Sequence, residues 1–115
     1  MTLEMYAIPN CNTVKKARVW LNEHGFDYTF HDYKKEGITA EQLNHWCEQV
    51  GWELLLNKRG TTWRKLSDDA KQDINQGKAV ALMVQYPSMI KRPVLLHGET
   101  ILVGFSEADY ATLSA

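Results

Sequence analysis

The sequence predicts an α/β domain in which a four-stranded mixed sheet is divided by an inserted helical block. Near the N-terminus, two strand-like runs flank one amphipathic helix, and two short apolar runs lie close together near the C-terminus. Between them, residues of about 34–91 show the apolar spacing of helices and no strand alternation. At this length we expect residues 1–115 to form a single domain around one core.

The N-terminal elements predict a β-α-β unit. Residues 3–8 are largely apolar and predict a short buried strand, whereas the pattern becomes helical from Thr13 onward. The helix repeats its apolar residues at intervals of three and four, at Val14, Ala17 and Leu21. Gly25 is suited to end it, and residues 26–31 alternate as in a half-buried strand. Such short connections favour a right-handed parallel arrangement of the two strands.

The middle of the chain predicts a series of helices. Residues 34–37 are interpreted as a polar loop, after which Thr39 and Gln42 form the capping box of a helix that ends at Gly51. The inner face of that helix comprises Leu43, Trp46, Cys47 and Val50. Shorter helical pieces are predicted over residues 54–56, 67–74 and 80–86.

The C-terminal elements predict a hairpin and a final helix. Residues 94–96 and 100–103 are apolar and are separated by His-Gly-Glu at 97–99, which favours a hairpin. The cap and hydrophobic-staple positions of the final helix are Ser106, Asp109, Phe105 and Tyr110. The order β-α-β, helical block, β-β, α is the thioredoxin arrangement with extra helices between its two halves.

Composition argues against several classes of function. The formal net charge of -1 at pH 7 gives no electrostatic reason to expect binding to nucleic acid or to an anionic membrane. The sequence contains no apolar run long enough to cross a bilayer and no signal-peptide pattern, so we expect a cytoplasmic protein with reduced thiols. Two cysteines are too few for a disulfide framework, and the histidines lack metal-ligand spacing, so no metal is expected.

Cys11 is the candidate catalytic residue. It lies in a short loop immediately before the first helix, where unpaired backbone N–H groups and the helix dipole favour a thiolate. The thiolate is the nucleophilic form, so this position indicates redox or covalent chemistry; the alternative is a buried structural cysteine. Cys47, on the apolar face of a predicted helix, is interpreted as a small core residue.

Five segments, in order, carry a resemblance to a known family. They are residues 8–13, 15–18, 57–66, 90–93 and 102–105. With these motifs the chain resembles the arsenate reductase (ArsC/Spx/YffB) family over nearly its whole length, and most closely its YffB branch. The resemblance implies a thioredoxin-like fold, a nucleophilic Cys11, a cis Pro93, and an anion site lined by Arg59 and Arg92.

The expected substrate-binding residues are Arg59, Arg92, Asn12, Thr13 and Pro93. A planar guanidinium can grip a carboxylate or an oxyanion through two hydrogen bonds, although most arginines are solvated surface charges. Proline restricts the residue before it to extended backbone angles, which would fix the direction of Arg92. Asn12 and Thr13 either cap the first helix or donate to a bound anion.

Two departures from the family pattern bear on substrate and regulation. Arsenate-reducing members carry a third arginine where this chain has Gly104. Spx-type regulators carry a Cys-x-x-Cys switch, but Val14 stands where the second thiol would be. An intramolecular disulfide across that helical turn is therefore impossible here.

The resemblance and these departures together predict a glutathione-dependent thiol-disulfide oxidoreductase. Cys11 would form a mixed disulfide with the substrate, and glutathione would act as co-substrate and resolving thiol, with its carboxylates held by Arg59 and Arg92. Glutaredoxin is a second expected partner, and the protein is expected to be a monomer. The alternatives are an arsenate reductase and an Spx-like regulator that binds RNA polymerase.

Overall fold

A four-stranded mixed sheet organises the computed structural model, which describes residues 3–113. The strands are β1 (Leu3–Ala7), β2 (Tyr28–Asp32), β3 (Val94–His97) and β4 (Thr100–Val103). Their spatial order is β2-β1-β3-β4. β1 pairs parallel with β2, whereas the β1–β3 and β3–β4 pairs are antiparallel. The predicted mixed sheet, with its parallel first pair and C-terminal hairpin, is confirmed.

The helices divide between two compact units. They are α1 (Asn12–Glu23), α2 (Tyr33–Glu36), α3 (Ala40–Val50), α4 (Trp52–Leu55), α5 (Thr61–Lys65), α6 (Asp68–Lys71), α7 (Gln76–Gln85) and α8 (Glu107–Tyr110), with a 3-10 turn at Pro87–Met89. The first unit contains the described residues up to Glu36 and from Arg92 onward, and so includes the whole sheet. The second unit is the helical segment Gly37–Lys91. Within residues 3–113, no helix is long and apolar enough to cross a membrane.

The core of the first unit lies between the sheet and α1. Alternate residues of β1 and one face of α1 are buried, as their periods of 2 and 3.6 require. The buried side chains of this cluster are Leu3, Met5, Ala7, Val14, Ala17, Leu21, Leu95 and Tyr110. The ring of Phe105 meets that of Tyr110 edge-on with centroids 4.8 Å apart, which confirms the predicted staple. Ser106 caps α8 by accepting a hydrogen bond from the N–H of Asp109 at 3.3 Å.

The second unit is built on α3 and α7. The capping box is confirmed: the Thr39 hydroxyl accepts from the Gln42 N–H at 3.1 Å, and the Gln42 side chain accepts from the Thr39 N–H at 3.2 Å. Three of the four predicted inner-face residues are buried, whereas Val50 at the end of the helix is half-buried. The Gln76 amide, at the start of α7, donates to the Asn44 side chain of α3 at 3.1 Å.

The predicted polar loop at residues 34–37 is wrong, because Tyr33–Glu36 forms the helical turn α2. The Asp32 carboxylate accepts a hydrogen bond from the Lys34 N–H at 3.0 Å and so begins the turn. At its other end, the Glu36 carboxylate contacts Nδ1 of His31 at 3.0 Å. Tertiary contacts thus stabilise a segment whose composition alone favours a loop.

Other element boundaries also differ from those expected: for example, the helical turn predicted over 67–74 ends at Lys71. β2 begins at Tyr28 rather than at residue 26, because the Phe26 N–H donates to the Leu21 carbonyl at 2.9 Å and is held at the end of α1. α7 begins before residue 80, because the Asn75 side chain accepts from the Lys78 N–H and caps it at 3.0 Å. The helical piece predicted over 54–56 ends at Leu55, and the next residue forms an isolated antiparallel bridge to Ile90.

Candidate active site

The last residues of β1 and β2 and the first residue of β3 lie at the same end of the sheet, next to the loop that contains Cys11. β1 and β2 run parallel and their last residues, Ala7 and Asp32, are paired. Because β3 is antiparallel to β1, the first residue of β3 lies at the same end of the sheet as the last residues of β1. The loop that follows β1 contains Cys11, Tyr33 follows β2 directly, and Arg92 precedes β3 by one residue. Three segments distant in the sequence therefore converge there.

Cys11 is the N-cap residue of α1. Its backbone is extended (φ −147°, ψ 129°), and its N–H donates to the Pro9 carbonyl at 3.0 Å. Its own carbonyl accepts the first helical hydrogen bond, from the Lys15 N–H at 2.9 Å. The sequence had suggested Asn12 as a capping residue, but Asn12 and Thr13 are instead the exposed first two residues of the helix. The thiol rather than an amide thus occupies the cap position.

This environment lowers the pKa of the Cys11 thiol. Partial burial is the largest single influence and acts in the opposite direction, since it disfavours the charged thiolate. The backbone N–H groups of Val14 and Thr13, a hydrogen bond from the Arg92 side chain and the charge of that arginine together outweigh it. A larger share of Cys11 is therefore ionised at neutral pH than of an unperturbed cysteine.

Tyr33 is a member of this site that the sequence reasoning missed. Its side chain is fully buried, and burial raises the pKa of its phenol to about 12, with the charges of Cys11 and Asp32 acting in the same direction. A hydrogen bond with Arg92 and the charge of that arginine oppose this effect without overcoming it. The phenol is therefore neutral at physiological pH. Its position directly after a strand parallel to β1 is the signal that could have identified it.

Arg92 contacts both Cys11 and Tyr33. Burial lowers the pKa of its guanidinium, but hydrogen bonds to both residues and their charges outweigh this and raise it, so the arginine stays cationic. The Arg92–Pro93 peptide bond is cis, as the family resemblance implies. The carbonyl of Pro93 accepts a hydrogen bond from the Gly104 N–H at 2.8 Å. Gly104 has a φ of +78°, a region that side-chain-bearing residues rarely adopt.

The other candidate residues have different surroundings. Arg59 belongs to the second unit and is exposed, with its N–H donating to the Asn57 side chain at 3.1 Å, so its role beside Arg92 stays a prediction. Cys47 is 5% exposed and burial raises the pKa of its thiol, which confirms it as a core residue. Among the side chains of residues 3–113, no three His, Cys, Asp or Glu groups are placed to hold a metal ion.

Comparison with protein family models identifies the family of this chain. The model of the ArsC family matches residues 6–113. This chain belongs to the ArsC family. An uncharacterized protein of Haemophilus influenzae is 39% identical over 108 residues, which cover 94% of this chain and 95% of that protein.

The comparisons also confirm the predicted thioredoxin-like fold of ArsC proteins. The solved structure of a YffB protein is 52% identical and superimposes with a TM-score of 0.93 over 96% of each chain. The Spx global transcriptional regulator of Streptococcus pneumoniae is 25% identical over 109 residues, covering 93% of this chain and 81% of the regulator. The proteins similar to this chain therefore include one named as a transcriptional regulator.

Proposed function

We propose that this protein is a glutathione-dependent thiol-disulfide oxidoreductase whose nucleophile is Cys11. The observation that carries the proposal is the Cys11 thiol at the start of α1, with its pKa lowered by backbone N–H groups and by Arg92. Membership of the ArsC family and the arsenate reductase-like fold support thiol chemistry at this position.

The reaction proceeds by three successive thiol-disulfide exchanges. The Cys11 thiolate attacks one sulfur of a substrate disulfide, and the other sulfur leaves as a thiolate that takes a proton from solvent. A glutathione thiolate then attacks the mixed disulfide, releasing the second substrate thiol and leaving glutathione on Cys11. A second glutathione thiolate attacks this adduct, regenerating Cys11 and forming oxidised glutathione. One disulfide is thereby reduced to two thiols at the expense of two glutathione molecules.

Glutathione is the proposed resolving thiol because the chain offers no second thiol beside Cys11. Val14 occupies the position one helical turn away, and Cys47 is buried in α3. Arg92 is proposed to bind a glutathione carboxylate together with Arg59. The exposed residues Asn12 and Thr13 and the buried Pro93 complete the proposed binding set.

Oxidation with excess oxidised glutathione tests the proposal. One glutathione adduct, on Cys11, is expected in a non-reduced tryptic digest analysed by mass spectrometry. The Cys47→Ser variant should retain both the adduct and glutathione-dependent reductase activity, whereas Cys11→Ser should lose both. A predominant cross-link between Cys11 and Cys47 would contradict the proposed use of glutathione.

Arsenate reduction is a second candidate, because a guanidinium beside a thiolate is also suited to an oxyanion. Arg92 provides that pairing, but the position of the third family arginine is taken by Gly104 in a left-handed conformation. An arginine there would adopt this conformation at a cost of about 1–2 kcal/mol. Arsenate turnover coupled to glutathione oxidation tests this candidate, and no turnover at saturating arsenate would exclude it.

A regulatory function is the third candidate, since Spx regulators are among the relatives. Val14 replaces the second thiol of the Spx switch, so such a regulator would lack that redox control. Affinity capture with RNA polymerase, using reduced and glutathionylated protein, tests this candidate. Binding in neither state would exclude it.

A further inference from the structure

We propose that Tyr33 is a positioning residue for the reaction at Cys11: its buried phenol oxygen accepts a hydrogen bond from Arg92 and holds the guanidinium towards the sulfur. This inference rests on the proposed nucleophilic role of Cys11. It explains why Arg92 keeps its orientation beside the Cys11 thiolate.

The fold gives Tyr33 a fixed position. Tyr33 is the first residue after β2, and all five residues of β2 pair with β1. The side chain of Tyr33 has no solvent exposure. The turn that carries it is held at its start by Asp32 and at its end by the contact between Glu36 and His31. The Tyr33 side chain is therefore held in place by its packing, and Tyr33 lies at the same end of the sheet as Arg92.

The direction of the hydrogen bond follows from the chemistry of the two groups. A guanidinium carries five N–H donors and no acceptor, so the phenol oxygen of Tyr33 must accept the hydrogen bond that joins it to Arg92. The guanidinium is planar, and contacts to a sulfur and to a buried oxygen fix its orientation better than either contact alone. With the phenol contact removed, the arginine can pivot away from Cys11, and the thiolate loses part of its stabilisation.

Tyr110 provides a matched control within the same unit. Both tyrosines are fully buried, but the Tyr110 hydroxyl has no hydrogen-bond partner among the described residues. Tyr→Phe at either position removes one buried oxygen and keeps the ring. Only the change at Tyr33 removes a contact with Arg92, so the comparison separates positioning from a general effect of losing a buried hydroxyl.

The test measures how fast iodoacetamide alkylates Cys11 across a range of pH in protein carrying Cys47→Ser. Tyr33→Phe should raise the midpoint of the profile and slow alkylation about two- to tenfold at a pH below the parent midpoint. The loss should not exceed that of Arg92→Ala, because the charge-assisted hydrogen bond from the guanidinium is removed but the arginine itself remains. Tyr110→Phe should leave the profile unchanged. In an Arg92→Ala background, Tyr33→Phe should cause no further change, since the group that it positions is absent.

Each result has a defined meaning. A Tyr33→Phe midpoint equal to that of its parent, or lower, would overturn the proposal, as would an equal effect in the Arg92→Ala background. If the parent itself titrates like a free thiol, the proposed function fails first. A low parent midpoint together with an unchanged Tyr33→Phe profile refutes the positioning role alone. Circular dichroism of each variant establishes that it is folded.

Discussion

Replacement of Arg92 by alanine should raise the pKa of Cys11. The side chain of Arg92 stabilises the thiolate both by a hydrogen bond and by its charge. A hydrogen bond to a charged group contributes about 1.5–3 kcal/mol, and about 1.4 kcal/mol corresponds to a tenfold change in thiolate population below the midpoint. Because Cys11 and Arg92 are both only half-buried, solvent screening favours the lower end of this range. We therefore expect alkylation of Cys11 to slow about tenfold at a pH below the wild-type midpoint.

The matched control for this change is Arg64→Ala. Arg64 is exposed near the end of α5 in the second unit, and removing it tests whether loss of any positive charge slows alkylation. The assay follows iodoacetamide modification of Cys11 in protein carrying Cys47→Ser, with circular dichroism to establish folding. Equal rates for Arg92→Ala and Arg64→Ala would refute the argument that Arg92 activates the thiol.

Two further changes test the stability of the separate units. The pKa of His31 is raised: burial opposes this, but hydrogen bonds to Glu36 at 3.0 Å and Glu4 at 3.1 Å outweigh it. Its ion pairs therefore add stability that is complete below the unfolded pKa of about 6.5 and is lost as pH rises through the higher folded pKa. The unfolding free energy of wild type minus that of His31→Gln, measured in urea, should shrink from pH 6 to pH 8; a constant difference would contradict this. Thr39→Ala breaks the capping box and should lower stability by about 1 kcal/mol, with a smaller loss for Gln42→Ala; the opposite order would show that the Thr39 hydroxyl is not the main cap.

Local sequence patterns were sufficient to predict most of the sheet and the larger helices. Strand alternation, the three- and four-residue spacing in α1 and the Thr39–Gln42 box each depend on residues close together in the chain. Because these patterns depend on neighbouring residues and not on the rest of the fold, the elements that they predict agree with the structure. The cysteine at the start of α1 was recognised for the same reason.

The parts that were missed depend on contacts between distant segments. α2 has the polar composition of a loop, and it is helical because Tyr33 is buried and Glu36 reaches His31. The position of Tyr33 directly after β2 marks it as a residue at this end of the sheet, but its hydrogen bond with Arg92 joins residues far apart in sequence and has no local pattern. The position of Arg59 relative to Cys11 likewise depends on tertiary structure and stays a prediction.

The central claim, that Cys11 is an activated nucleophile, is tested most directly by titrating its thiolate in protein carrying Cys47→Ser. The ultraviolet absorbance of the thiolate reports its population without any reagent. The account predicts a midpoint below the value of about 8.5 that is typical of an unperturbed cysteine. A midpoint at or above that value would contradict the account, because α1 and Arg92 would then provide no activation.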